Sequence, residues 1–168
     1  LARFRAESPM HPLATDVTLL YATCLTQTER YAEARETLEE LLTLRQARGR
    51  PHAEALLALS RNAEAAGEIE RAIPYAQRVY NVYRAYPELT ADAYWMSALQ
   101  FDALGETIAA YRTLEEMLED PRIQAMPVAT EAETKRDSLF PEGALDETPE
   151  PEAAQPARTA PAEEEVTS

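Results

Sequence analysis

The residues able to do chemistry are few and scattered. The two histidines, His11 and His52, each stand beside a proline, and no metal-ligand spacing joins them. His52 and Glu54 lack the second histidine, four residues along, that a helical zinc site needs. The single cysteine, Cys24, has no histidine near it in sequence, so no nucleophile–base pair is legible. One cysteine also excludes an internal disulfide, and its expected place is a small core position on a helix. No glycine-rich phosphate loop occurs. Carboxylates pair at Glu39-Glu40 and Glu115-Glu116, but in stretches so rich in charge they read as solvated helix faces. The expectation is therefore no enzyme, no metal and no cofactor.

Charge narrows the partners. The chain carries 16 basic and 30 acidic residues, for a formal charge of −14. A nucleic-acid binder neutralises phosphates with a positive footprint, so that class is excluded, and an anionic membrane surface is equally unsuited. No stretch of about 18 apolar residues exists to span a bilayer. The chain begins at Leu1, which is expected of a fragment or a processed product. From Pro141 the text PEGALDETPEPEAAQPARTAPAEEEVTS holds five prolines, eight acids and one arginine. It has almost nothing to bury, so residues 141–168 are expected to form a disordered acidic, proline-rich tail. A spacer is its plainest role, and a short partner-binding motif the alternative.

Helices must position whatever function remains. Glycine is scarce, alanine and glutamate are abundant, and β-branched residues are few, all of which favours helix over sheet. Three segments align as helical pattern, short break, helical pattern. Glu29, Gly67 and Gly105 fall in the breaks 38 residues apart, and Ala34, Ala72 and Ala110 share that spacing. Such a period signals a solenoid of stacked helix pairs. Ala34, Leu38, Leu41 and Leu42 lie on one helical face, as do Ala72, Ala76, Val79, Tyr80 and Tyr83. Gly67 and Gly105 stand where a turn wants positive φ. Glu29 stands there in the first unit, so that turn is expected to be built differently. Pro74 lies early enough in its helix to kink it only slightly.

These residues resemble the tetratricopeptide repeat. The family's small residue midway along the first helix is matched by Ala22, Ser60 and Ala98. Its alanine early in the second helix is matched by Ala34, Ala72 and Ala110, and a large apolar residue four positions on by Leu38 and Leu114, with Ala76 undersized. Its aromatic near the start of the first helix is matched by Tyr94, while Thr18 and Leu56 depart. The resemblance implies an all-α, right-handed helical solenoid of three helix pairs at about 15–48, 53–86 and 91–124, within residues 15–126. An N-terminal extension (1–14) precedes them. A capping helix follows at 127–140, packing Val128, Ala132, Leu139 and Phe140. Leu1, Phe4 and Met10 are expected to cover the first unit loosely. The 38-residue period exceeds the usual value of about 34. It is similar to that of bacterial cell-envelope members, which leaves cytoplasm and the periplasmic side of an anchored protein both open.

In this family the first helices line a concave groove. Carried across in register, the groove positions are Asp16, Leu19, Thr23 and Gln27, then Glu54, Leu57, Arg61 and Glu64, then Asp92, Trp95, Leu99 and Asp102. An apolar line (Leu19, Leu57, Trp95, Leu99) edged by acids suits a protein segment with apolar anchors and basic flanks. A slip of one residue would instead make Trp95 the core aromatic and Tyr94 the outward one. The family's carboxylate clamp needs lysine and asparagine where Leu19 and Thr23 stand, so that role is rejected. The implied function is a non-catalytic protein–protein adaptor or scaffold. The second reading is a permanently assembled structural subunit of a larger complex, one that could sit at a membrane.

Overall fold

A computed structural model describes residues 13–140, apart from the side chain of Gln46. The expected tail (141–168) and most of the N-terminal extension, with Leu1, Phe4 and Met10, lie outside the described residues. Among the described residues there are eight α-helices and no strand. They are α1 (Ala14–Gln27), α2 (Tyr31–Thr43), α3 (Arg50–Ala65), α4 (Ile69–Val82), α5 (Pro87–Ala103), α6 (Thr107–Leu118), α7 (Pro121–Gln124) and α8 (Val128–Leu139). One 3-10 turn, Arg45–Ala47, links α2 to α3.

The breaks are tight, and all three are the same. In each, the residue with positive φ follows the end of an inner helix: Glu29 (φ 60°), Gly67 (78°) and Gly105 (77°). The next amide bonds back across the turn, Arg30 to the Leu25 carbonyl at 2.9 Å, Glu68 to Ala63 at 2.8 Å and Glu106 to Phe101 at 2.9 Å. This is the Schellman ending, which satisfies the carbonyls a helix leaves over. The expectation of a different first turn is corrected. Glu29 takes the left-handed conformation without a glycine, held there by the same 6→1 bond. The residue that closes each helix also opens the next, since the carbonyls of Arg30, Glu68 and Glu106 accept from the amides of Ala34, Ala72 and Ala110.

Those alanines are fully buried, as are Ala22, Ser60 and Ala98 against them. Small side chains at both positions let paired helices approach closely. Leu38 and Leu114 are also wholly buried, and the undersized Ala76 is too. The family's aromatic position is filled by Thr18, Leu56 and Tyr94, each buried despite their difference in size. Pro74 removes one bond from the interior of α4, yet the helix runs through it.

Successive helices pack in order, and α1 also packs on α3, and α3 on α5. The helices α1, α3 and α5 therefore form an inner row, with α2, α4 and α6 outside it. One core cluster runs from α3 to α8, and a smaller one joins α1, α2 and α3. At the C-terminal end, α8 packs on α6 through Ala129 and Ala132, and Phe140 meets Tyr111 edge-on at 5.3 Å. Val128 and Leu139 are half-buried against the same core, while Thr130, Glu131, Glu133 and Asp137 are exposed and polar. These are the features of a terminal unit whose outer face meets water.

Candidate partner-binding face

The inner row sets what a partner could touch. Helix α3 is packed on by α1, α2, α4 and α5, and along its length an outward stripe runs through Glu54, Ala58, Arg61 and Ala65, with the exposed Glu64 beside it. The four stripe residues are i, i+4, i+7 and i+11, one edge of a helix. Corresponding stripes are Asp16, Leu20, Thr23 and Gln27 on α1, and Asp92, Met96, Leu99 and Ala103 on α5.

Of the residues expected on this face, some are exposed, some are half-buried and one lies in the core. Asp16, Thr23, Arg61 and Asp92 are exposed. Leu99 is 37% exposed. Glu54, Trp95 and Asp102 are half-buried. Leu19 is half-buried against the smaller core. Leu57 is 1% exposed and belongs to the main core, which corrects its placement in the groove. The apolar line expected through Leu19, Leu57 and Trp95 is turned inward by one residue. The line one residue outward is Leu20, at 54% exposure, then the half-buried Ala58 and Met96. Sequence carried a signal for it, because Leu20 and not Leu19 stands four residues after Asp16 and three before Thr23. Tyr94 is the core aromatic, stacked on Tyr80 at 4.0 Å with its hydroxyl donating to Glu116 at 2.8 Å. Burial, then that carboxylate, push the Tyr94 phenol well above the usual tyrosine range. Trp95 packs against the same cluster and keeps an open edge.

Several acids of this face are answered within the chain. Arg61 reaches Asp92 at 3.5 Å, Arg50 donates to Glu54 at 2.9 Å, and Lys135 of α8 donates to Asp102 at 2.7 Å. Glu64 accepts from Gln100 at 2.9 Å, and the Gln100 amide also donates to Ser60 at 3.0 Å. Asn62, the Gln100 counterpart one unit earlier, donates to the Tyr31 carbonyl and accepts from the Thr26 hydroxyl. These side chains tie each unit to the one before it. Cys24 holds the corresponding place in the first unit and is exposed, correcting its expected core position. Nothing described packs on the N-terminal side of α1, so its register places it on a surface.

Chemistry elsewhere is sparse. A cleft of ≈ 280 Å³ beside α5 and α6 is lined by Arg84, Tyr94, Glu116, Asp120 and Arg122, whose charges pair with one another. Among the described residues no cluster of histidine, cysteine or carboxylate side chains could hold a metal ion, and no helix is long and apolar enough to cross a membrane.

Residues 14–85, which are α1 to α4 in full, match the tetratricopeptide repeat family. Over that span the chain carries tetratricopeptide repeats. That match agrees with the all-α helical-repeat solenoid described above, and the third pair, α5 and α6, continues the same register beyond it. Tetratricopeptide arrays in general mediate protein–protein interaction and are not themselves enzymes. No curated protein and no solved structure matches the chain.

Proposed function

We propose that the protein is a non-catalytic adaptor that holds a segment of a partner protein along α1, α3 and α5. The observation that carries this reading is the apolar line Leu20, Ala58, Met96 and Leu99, with the edge of Trp95 beside it. Apolar side chains aligned across three helices, with Leu20 and Leu99 exposed and Ala58 and Met96 half-buried, suit an apolar stripe on a bound helix or strand. Basic flanks on that segment would meet Asp16 and would compete with Arg61 for Asp92. The test is capture by the full chain compared with Leu20→Glu and Leu99→Glu variants. A partner of this face is retained by the parent, lost by both variants, and changes Trp95 emission on binding. Partners kept equally by all three chains would sink the proposal.

A permanent structural role is the second reading, and one observation favours it. Val17, Tyr21 and Cys24 lie in register with Ala55, Leu59 and Asn62, which pack against a preceding unit. Yet Val17 and Tyr21 are only half-buried and Cys24 is exposed. Purification from the native source separates the readings. A subunit co-purifies stoichiometrically through high salt, and an adaptor is released.

A further inference from the structure

Most cations among the described residues have a carboxylate within 4.0 Å, as Arg30, Arg84 and Arg122 do. Arg45, Arg48, Arg78 and Arg112 form no such pair. Three of these four gather at one edge of the array. Arg45 and Arg48 belong to the link between α2 and α3, and Arg78 stands on α4. Between them lies His52, its ring stacked on Tyr83 with centroids 5.7 Å apart and its buried Nε2 without a hydrogen-bond partner. Burial, then the charges of Arg78 and Arg48, hold the His52 pKa below the usual histidine value. The link turns through a position that favours glycine. Gly49 has φ 82°, and a Cβ there would come within 3.0 Å of the Tyr86 hydroxyl. The fold thus keeps three arginines and an imidazole together, none of the arginines with a described carboxylate within 4.0 Å, on a chain of net charge −14. Like charges held close repel one another unless an anion joins them.

We propose that the acidic C-terminal segment 141–168 folds back and lays its carboxylates, led by Glu163, Glu164 and Glu165, on the patch formed by Arg45, Arg48 and Arg78. Charge complementarity selects this occupant. The segment holds eight acids and one arginine, while residues 13–126 hold 18 acids and 11 bases and so repel it nearly everywhere else. Reach permits it. The 28 residues after Phe140 span roughly 30 Å as a flexible chain and up to about 90 Å extended. Tethering adds an effective concentration of order millimolar, which lets several weak pairs act together. Exposed ion pairs are individually slight and screened by salt, so the contact opens and closes readily. The tail would then compete with any acidic ligand for this edge and leave the inner face free.

The test uses the full chain carrying Cys24→Ser and Ser168→Cys, with a nitroxide on the introduced cysteine. Docking predicts loss of amide signal confined to residues 45–52 and the Arg78 turn of α4. Signal returns in Arg45→Ser/Arg48→Ser/Arg78→Ser and in Glu163→Gln/Glu164→Gln/Glu165→Gln. It also returns in molar salt, where the screening length falls to about 3 Å. The amide spectrum of each variant reports whether the array is still folded, and the tail variant leaves the array untouched. The proposal is overturned by loss centred on another face, by no localised loss, or by loss that survives both variants. Loss that appears only between molecules, in a mixture of spin-labelled and isotope-labelled chains, also overturns it and assigns the patch to a second copy.

Discussion

The first helix pair and the two that follow share one register but differ in surface. Val17, Tyr21 and Cys24 are half-buried or exposed. Their counterparts Ala55, Leu59 and Asn62, and then Ala93, Ser97 and Gln100, are all at most 5% exposed. Residue type does not decide this, since an asparagine and a glutamine are buried where a cysteine is not. What differs, among the described residues, is a neighbour on the N-terminal side. Each later unit finds one, and spends its small and polar side chains on meeting it. The C-terminal end shows the opposite solution, because α8 presents polar side chains outward.

Several substitutions can break or sharpen that contrast. The largest difference is expected between Leu57→Ala and Leu19→Ala. Emptying the enclosed Leu57 site costs about 2–5 kcal/mol, and the half-open Leu19 site about 1 kcal/mol. Chemical unfolding measures both, and equal losses would mean that the first unit is as well covered as the second. Next come the polar ties. Gln100→Ala removes a buried donor from Ser60 and Glu64 and costs about 1–3 kcal/mol, whereas Cys24→Ala should stay within about 0.5 kcal/mol. A costly Cys24→Ala would show that its side chain is covered after all.

The turns give the third pair. Glu29→Gly relieves a left-handed residue and should stabilise by about 1 kcal/mol, while Gly105→Ala should cost about the same. Thermal melts of the two variants should therefore move in opposite directions. At the far end, Lys135→Ala breaks the contact with Asp102, in which both side chains are about a third exposed or less. The expected loss is at most about 1 kcal/mol, and it should shrink in high salt. A loss unaffected by salt would point to packing rather than charge.

The smallest effect is on pH dependence. His52 has a folded pKa below its unfolded value of about 6.5, because burial and two arginines disfavour its charged form. The unfolded chain then binds the proton more readily. Stability is fully present above the unfolded pKa and declines as pH falls from there toward the folded value. Its register counterparts, Ala14 and Thr90, cannot titrate. His52→Gln should flatten this slope in a pH series of melts, and an unchanged slope would show that His52 is not its source.

Much of the fold was legible because it is periodic. The 38-residue spacing of Glu29, Gly67 and Gly105 marked the turns, and the alanines marked where helices press together. A helix was expected over 127–140, and α8 runs over Val128–Leu139. The candidate face was legible only in part. Asp16, Thr23, Arg61, Asp92 and Leu99 are exposed where a helical stripe puts them, but Leu57 is not. One residue turns a helix by about 100°, and in α3 that turn separates open stripe from core. The arginine patch left no mark in sequence, since Arg78 belongs to a different element from Arg45 and Arg48 and all three read as ordinary surface charge.

Sequence by itself determined the helices, their turns and the alanines at which they meet, because these depend on spacing along one chain. Tertiary structure alone decided which face of each helix stays open, which carboxylates are already paired, and which cations are left without a partner. Those outcomes depend on what packs beside each helix, and that is supplied by other helices of the chain.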